Sequence, residues 1–172
     1  RQSTGVTVIG IMDEGKFVAP NPRAVIEQHA ILMLAGSTSQ LKAFEEAYPV
    51  TYTQDPDKPQ VLILGGGRVG QVAAQTLAAH NISYRIVEKR TVRANGPHSE
   101  FTILGDAADI NTLKAAGIDS AKSVIVTTHS DDMNIYLTFY CRKLRSDIQI
   151  ISRSILERNV SKLHMAGADL VM

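Results

Sequence analysis

The chain has 172 residues, of which 44% are hydrophobic and 20% charged, a composition typical of a globular protein. Its formal net charge is +1, and it has one cysteine and no tryptophan. It therefore has neither the strong positive field of a nucleic-acid-binding protein nor a disulfide framework. No apolar run approaches the roughly 20 residues that a membrane-spanning helix requires, and no signal peptide is visible.

The N-terminal third of the chain predicts a small lobe of mixed α and β structure. Apolar stretches and one amphipathic stretch indicate three short strands followed by a helix, at 6–11, 16–18, 31–34 and 39–48. Residues 51–59 are polar and rich in proline, which disfavours helix and central strand, so we interpret them as a linker. Because the chain begins at Arg1 and its first segment resembles the interior of a domain, we expect a fragment of a larger protein.

Residues 60–172 form a larger unit in which short apolar strands alternate with amphipathic helices. Such strands indicate a parallel sheet that is covered by helices on both faces. We therefore predict an α/β fold with a Rossmann-like, doubly wound parallel sheet of six strands in the order 3-2-1-4-5-6. The predicted strands lie at 61–64, 84–87, 101–104, 123–126, 148–152 and 170–172. The clearest helices are 109–116, which Gly117 closes, and one whose apolar stripe runs from Met133 to Leu144.

A glycine-rich turn, Gly65-Gly-Gly-Arg-Val-Gly70, follows the first of these six strands and opens a helix. Gly65 permits a tight turn, Gly67 lets the backbone approach a pyrophosphate, and Gly70 allows the helix to pack closely on the strand. The helix N-terminus offers unpaired N–H groups and partial positive charge to phosphates. The pattern predicts an adenine dinucleotide site, the alternative being a glycine turn selected for packing alone.

An acidic residue, Glu88, ends the next strand of the predicted sheet. At that position a carboxylate can accept hydrogen bonds from the hydroxyls of the adenosine ribose. The same carboxylate would repel a 2′-phosphate, which favours NAD(H) over NADP(H). Lys89 and Arg90 follow directly and weaken that preference.

Further polar residues follow the other strands, at the edge where ligands bind in this fold. Thr127 and Thr128 follow the fourth strand, and Asp106 follows the third, where it can meet the adenine or ribose. Arg153 ends the fifth strand and can reach phosphates or an acidic partner. Arg68 opposes the helix dipole unless an anion binds nearby, so we interpret it as a phosphate contact, with a solvated surface arginine as the alternative.

The remaining titratable residues favour structural roles. Asp109 and at least one of Asp131 and Asp132 are expected to cap helices. Cys141 lies on an apolar helix stripe and is expected to be buried. The five histidines show no metal-ligand spacing with one another or with cysteine, so we predict no transition-metal site. No nucleophile–base arrangement is visible at the ligand edge, and we predict that the chain is not an enzyme.

With these motifs in view, residues 61–172 resemble the N-terminal, nucleotide-binding lobe of RCK domains (regulators of K⁺ conductance), also called TrkA-N domains. The stretches Gly5-Val-Thr-Val-Ile-Gly10 and Leu32-Met-Leu-Ala-Gly36 are similar to the end of the RCK C-terminal (TrkA-C) lobe, although His29 stands where that lobe often carries aspartate. The matching motifs of the larger unit are Gly65–Gly70, Ile86-Val-Glu-Lys89, Gly105-Asp-Ala-Ala-Asp109, Leu113-Lys-Ala-Ala-Gly-Ile118, Val124-Ile-Val-Thr-Thr128, Asp131 with Asn134, and Ala166-Gly-Ala-Asp-Leu-Val171.

The resemblance divides the chain into the end of a C-terminal lobe (1–50), a linker (51–59) and an N-terminal lobe (60–172), so the parent protein should contain at least two RCK modules. It implies a nucleotide-sensing gating domain at the cytoplasmic side of the inner membrane. Its implied partners are further RCK lobes in a homo-oligomer, a dimer or a gating ring, and a transmembrane K⁺ pore. The alternatives are a peripheral NAD-binding subunit of a K⁺ uptake system and an NAD-dependent dehydrogenase.

NAD(H) is the expected ligand, with ADP or ATP as the alternative and no nucleic acid or metal. The glycine turn and Arg68 would contact phosphates, Glu88 the ribose, and the residues after the third and fourth strands the adenosine and the distal half of the ligand. The expected nucleotide-binding residues are Gly65, Gly67, Arg68, Val69, Gly70, Glu88, Lys89, Asp106, Ala107, Thr127, Thr128 and Arg153.

Overall fold

A computed structural model of the chain describes residues 4–13, 16–26, 30–49 and 58–172. The chain divides into two compact units, Arg1–Thr51 and Tyr52–Met172. His29 and most of the predicted linker lie outside the described residues.

The smaller unit contains a three-stranded antiparallel sheet in the order β2-β1-β3. Its helix α1 begins with a capping box: the Ser37 hydroxyl accepts from the Gln40 N–H, and the Gln40 side chain accepts from the Ser37 N–H. Among the described residues of this unit, only Gly10 and Ile11 are buried. The elements are β1 (Thr7–Asp13), β2 (Lys16–Val18), β3 (Ile31–Ala35) and α1 (Thr38–Ala47).

The larger unit alternates strands and helices along the whole of its described sequence. Its strands are β4 (Val61–Leu64), β5 (Tyr84–Glu88), β6 (Thr102–Leu104), β7 (Ser123–Val126), β8 (Gln149–Ser152) and β9 (Leu170–Val171). Its helices are α2 (Arg68–Ala79), α3 (Thr91–Ala94), α4 (Ile110–Ala116), α5 (Asp131–Leu144) and α6 (Val160–Met165).

All strand pairs in this larger sheet are parallel, and the order is β6-β5-β4-β7-β8-β9. This is the predicted order 3-2-1-4-5-6, so the predicted fold is confirmed. The order reverses direction between β4 and β7, whose carboxyl ends therefore flank the crevice where ligands bind in such sheets. Every residue of β4 is buried, because this central strand is covered on both faces.

Two apolar clusters cover the two faces of the sheet. One contains Leu62 and Leu64 of β4 together with Leu137 of α5, and the other contains Ile63 with Ala74 of α2. Alternate residues of the same strand thus point to opposite clusters, as the pleat requires. The core holds the strand ends in fixed positions, and these strand ends carry the candidate site.

Two predicted strand starts need correction, and one short helix was not predicted. Phe101 lies in a short 3-10 turn, Ser99–Phe101, and not in β6, because the strand begins at Thr102. The four-residue helix α3 was not predicted, since it is too short to show helical periodicity. Ile148 precedes β8, which begins at Gln149. The predicted helix stop at Gly117 is confirmed, with a left-handed φ of 93°.

Candidate nucleotide-binding site

The glycine turn connects β4 to α2, and two of its glycines are required by the fold itself. Gly65 has a φ of +115°, a conformation that side chains rarely adopt, and a Cβ there would lie 3.0 Å from the carbonyl oxygen of Thr127. A Cβ on Gly70 would lie 2.0 Å from the carbonyl oxygen of Gly65. These two glycines therefore let α2 begin directly against the ends of β4 and β7.

Glu88 ends β5 and is buried, with 6% of its surface exposed. One carboxylate oxygen, Oε2, accepts a hydrogen bond of 2.9 Å from the Gly66 N–H, and Oε1 accepts one of 2.8 Å from the Arg90 N–H. A carboxylate oxygen can accept more than one hydrogen bond, so both oxygens keep capacity for a ligand hydroxyl. The carboxylate is held in a fixed position beside the glycine turn.

Gly67 differs from its neighbours because no close protein contact explains it. Its φ of −72° is accessible to any residue, and a Cβ there would meet only Nη1 of Arg93, at 3.6 Å. Gly67 is also the N-cap of α2 and makes no side-chain cap. The first N–H groups of a helix have no partner within the helix, so the open space above Gly67 suits an anion.

A cleft of about 740 Å³ runs along the carboxyl ends of the strands. It is lined by every predicted nucleotide-binding residue except Gly70, which lies beneath the turn against Gly65. The cleft reaches from Asp106, beyond β6, to Ile155, beyond β8, and so crosses the switch point. Its volume lies in the range of roughly 300–1,000 Å³ that is usual for small-molecule sites.

The cleft is also lined by residues that the sequence did not assign to the site. They are Val87, Arg90, Arg93, Gly105, His129, Met133, Leu137 and Ile155. The sequence placed Met133 and Leu137 correctly on an apolar helix stripe, and that stripe faces partly into the cleft. Arg93 was missed because the helix that carries it was missed.

Lys89 and Asp106 form an ion pair across the β5 and β6 ends of the cleft, with 2.7 Å between Nζ and Oδ2. The hydrogen bond from Lys89, together with one from the Ala108 N–H, lowers the pKa of the Asp106 carboxyl. Both side chains are substantially exposed, so the pair contributes little to stability. The pair with Asp106 neutralises the charge of Lys89, which follows Glu88 in the chain.

The β7 and β8 ends of the cleft are joined by Asn134 of α5, which is fully buried. Its Oδ1 accepts from the Thr128 N–H at 2.9 Å and from the Thr128 hydroxyl at 2.7 Å. Its Nδ2 donates to the Arg153 carbonyl oxygen at 2.9 Å. The Thr127 hydroxyl donates to the Gly65 carbonyl oxygen at 3.0 Å, which ties β7 to the glycine turn.

The prediction that at least one of Asp131 and Asp132 caps α5 needs correction. Ser130 is the N-cap of α5, with its hydroxyl accepting from the Met133 N–H. The buried Asp131 carboxylate instead accepts from the N–H groups of Ile155 (2.7 Å) and Leu156 (3.0 Å) and from Nδ2 of Asn159 (2.8 Å). It therefore fixes the segment after β8 that lines the cleft.

The pKa of Asp131 reflects this arrangement. Burial pushes the pKa up, but the hydrogen bonds from Asn159, Ile155 and Leu156, with the nearby Arg153 charge, outweigh burial and leave the pKa lowered. The carboxylate is thus ionised at neutral pH. By contrast, the predicted cap at Asp109 is confirmed, since its carboxylate accepts from the N–H groups of Asn111 and Thr112.

The rim of the cleft carries several guanidinium groups. Arg153 donates to the Thr128 carbonyl oxygen at 3.3 Å. The exposed side chains of Arg68, Arg90 and Arg93 make no hydrogen bond or ion pair with the described residues. The unpaired charge of the rim is therefore positive, which favours an anionic ligand.

Other residues singled out in the sequence lie away from this chemistry. Cys141 is buried as predicted, and burial raises the pKa of its thiol to about 12. His164 is held by a 2.9 Å contact between Nδ1 and the Ala168 carbonyl oxygen. In residues 4–13, 16–26, 30–49 and 58–172, no group of three or more His, Cys, Asp or Glu side chains is arranged to hold a metal ion. Within the same ranges, no helix has the length and apolar character needed to span a membrane.

Comparison with solved structures relates the whole chain to one channel protein, GsuK. The chain aligns over its full length with the GsuK channel bound to NAD, at 37% identity, a TM-score of 0.72 and 30% coverage of that chain. It matches the GsuK RCK domain similarly, at 36% identity and a TM-score of 0.70. GsuK bound to ADP matches 69% of this chain, at 37% identity and a TM-score of 0.62.

Sequence comparison points in the same direction. Probable potassium channel protein 2 of Methanocaldococcus jannaschii is 32% identical over 120 residues, which cover 67% of this chain and 35% of that protein. The chain thus spans about a third of the length of these relatives. The sequence model of the TrkA-N domain matches residues 61–172. The predicted resemblance is confirmed, and the chain belongs to the TrkA-N domain family.

Proposed function

We propose that this chain is a nucleotide-sensing regulatory domain of a potassium channel, which binds NAD(H) in the cleft of the larger unit and couples its occupancy to K⁺ conductance. The observation that carries the proposal is the juxtaposition of the open glycine turn at Gly67 with the buried Glu88 carboxylate in one cleft. In this proposal the backbone at Gly67 binds the phosphates, and the Glu88 carboxylate accepts hydrogen bonds from the ribose. Relatives that are channels, one of them solved with NAD, support the assignment.

The residues fit a dinucleotide better than a mononucleotide. Glu88 and Asp106 lie on the β5 and β6 side of the glycine turn, whereas Met133, Arg153 and Ile155 lie on the β7 and β8 side. Adenosine would occupy the first side with its diphosphate at the turn, and the second half of NAD(H) would occupy the other. ADP would leave that second side empty, so ADP and ATP are the weaker candidates, although GsuK has been solved with ADP.

The site also favours NAD(H) over NADP(H). A 2′-phosphate on the ribose would need a cation beside it, but Glu88 would present a carboxylate there. The adjacent cation, Lys89, is already paired with Asp106. The guanidinium of Arg90, which makes no hydrogen bond or ion pair with the described residues, is the nearby cation that weakens this preference. A 2′-phosphate would still lie beside the buried Glu88 carboxylate, so NAD(H) is the favoured ligand.

The proposed role is regulatory and not catalytic. A bound nucleotide acts on gating only through a difference in its affinity for two conformations of the assembly. We assign residues 1–50 to the end of a preceding C-terminal RCK lobe and residues 60–172 to an N-terminal lobe. The partners would be further RCK lobes in a homo-oligomer and a transmembrane K⁺ pore, with the chain at the cytoplasmic face of the inner membrane.

Isothermal titration of the 172-residue chain with NAD⁺, NADH, ADP, ATP and NADP⁺ tests the binding step. We expect the tightest binding for NAD⁺ or NADH, and absence of binding to all five would overturn the proposal. K⁺ flux through liposomes that contain the full-length parent protein tests the regulatory step. Flux that is identical with and without NAD(H) would overturn gating. A parent sequence without a pore helix would favour the alternative, a peripheral NAD-binding subunit of a K⁺ uptake system.

A further inference from the structure

We propose that Arg93 is a phosphate-contacting residue, and that its guanidinium and the backbone of Gly67 enclose the seat of the ligand's diphosphate. The inference rests on the proposed function, because it names a contact within the same cleft. Arg93 lies outside the glycine motif, on a helix that the sequence did not reveal.

The first observation is the space at Gly67. The fold itself requires Gly65 and Gly70, and a Cβ on Gly66 would press on the Glu88 side chain at 3.1 Å. A Cβ on Gly67 would have only Arg93 Nη1 nearby, at the ordinary contact distance of 3.6 Å. Protein packing therefore leaves the space at Gly67 open, and a ligand that approaches the backbone there would explain the glycine.

The second observation is the position of the Arg93 charge. The guanidinium borders this open space and makes no hydrogen bond or ion pair with any described residue. It lies at the N-terminus of α2, which carries partial positive charge, and near the exposed Arg68 in the first turn of that helix. A cation in this setting is unfavourable until an anion enters. Arginine suits a diphosphate because its planar donors can contact two oxygens at once.

The neighbouring cations differ from Arg93 in a way that singles it out. Lys89 is bound to Asp106, and Arg153 donates to the Thr128 carbonyl oxygen. Arg90 follows Glu88 closely and lies at the ribose end of the cleft. Of the cations that line the cleft, Arg93 is therefore the one that comes from outside the turn and yet borders the space at Gly67. A diphosphate held there would also connect α2 to α3.

The test compares phosphate dependence in matched variants of the 172-residue chain. Calorimetry with NAD⁺, ADP, AMP, adenosine and NADP⁺ is carried out on the wild type, Arg93→Ala, Arg93→Lys and two controls. Val92→Ala controls for the integrity of α3, because Val92 is 91% exposed on the same helix. Arg158→Ala removes an exposed arginine that does not line the cleft.

We expect Arg93→Ala to lower the affinity for NAD⁺ and ADP about tenfold or more, which corresponds to the loss of one charge-assisted hydrogen bond. The affinity for adenosine should be unchanged. Arg93→Lys should recover part of the lost affinity, and both controls should match the wild type.

Equal losses of affinity for adenosine and for ADP would overturn the inference, since the effect of the substitution would then be structural. A loss confined to NADP⁺ would also overturn it, because Arg93 would then contact a 2′-phosphate. If the wild type binds but Arg93→Ala binds equally well, the inference fails and the proposed function stands. If the wild type binds none of the nucleotides, both fail.

Discussion

The carboxylate of Glu88 accepts a hydrogen bond of 2.9 Å from the backbone N–H of Gly66. This hydrogen bond joins Glu88 to the glycine turn, although the two residues follow different strands of the sheet. A ligand that contacts both would meet groups that are already in position, so little ordering free energy would be lost on binding.

Replacing Glu88 with alanine should weaken NAD(H) binding about tenfold or more, because the ribose loses its acceptor and the turn loses its support. Thermal unfolding should show a loss of about 1–3 kcal/mol, since two backbone donors lose their partner. Glu88→Gln keeps an acceptor and removes the charge, so NADP⁺ should bind closer to NAD⁺ in this variant. Calorimetry that shows unchanged NAD⁺ affinity for Glu88→Ala would contradict the ribose assignment.

The glycine turn offers a matched pair of substitutions. Gly70→Ala should destabilise the fold by at least about 1–3 kcal/mol, because the new Cβ would lie 2.0 Å from the Gly65 carbonyl oxygen. Gly67→Ala should leave the unfolding temperature nearly unchanged, since its nearest neighbour is 3.6 Å away, and yet should lose most nucleotide affinity. Normal binding by a folded Gly67→Ala variant would show that the open space is not the phosphate seat.

Asp131→Asn should lower the free energy of unfolding at neutral pH by about 1–3 kcal/mol. The amide nitrogen of asparagine cannot accept the hydrogen bonds that the carboxylate accepts from Ile155, Leu156 and Asn159. The folded-state pKa of Asp131 is lowered, so its contribution is present above the ordinary carboxyl pKa and lost as pH falls through the folded value. The difference between wild type and variant should therefore shrink below about pH 4.

Urea unfolding at neutral and acidic pH measures this difference, and Asp132→Asn is the control on the same helix turn, because Asp132 is exposed. A gap between Asp131→Asn and wild type that stays constant with pH would contradict the assigned role.

The ion pair between Arg142 and Asp169 should matter for folding and not for the ligand. Asp169 is buried, and its Oδ2 accepts from Nη2 of Arg142 and from the Ile150 N–H. Asp169→Ala should lower the free energy of unfolding by about 3–5 kcal/mol, since it leaves the partly buried guanidinium of Arg142 without its carboxylate partner. Asp147→Ala, which removes an exposed carboxylate from the pair with Arg145, should change the free energy of unfolding by less than about 1 kcal/mol. Chemical denaturation of the two variants compares them, and equal losses would refute this ranking.

Much of the fold and of the site was predictable because the signals are local. Continuous apolar strands such as β4 can only be buried on both faces, and their alternation with helices leads to the parallel order that the structure shows. The spacing of Gly65, Gly67 and Gly70 and the position of Glu88 depend on backbone conformation within a short stretch. Local sequence determines that conformation, so Gly65, Gly67 and Glu88 line the cleft as expected, whereas Gly70 lies beneath the turn against Gly65.

The tertiary structure alone decided which charges meet. The sequence predicted a helix cap at Asp131 or Asp132, but the donors to Asp131 come from Ile155, Leu156 and Asn159, which follow another strand. Lys89 finds Asp106, and Arg93 reaches the space at Gly67, only because the parallel sheet brings these strand ends together. Local sequence patterns determined which residues are buried and where the backbone turns. The ion pairs and the open space at Gly67 depend instead on distances between segments that lie far apart in the chain. Those distances are set by the strand order and by the packing of helices on the sheet.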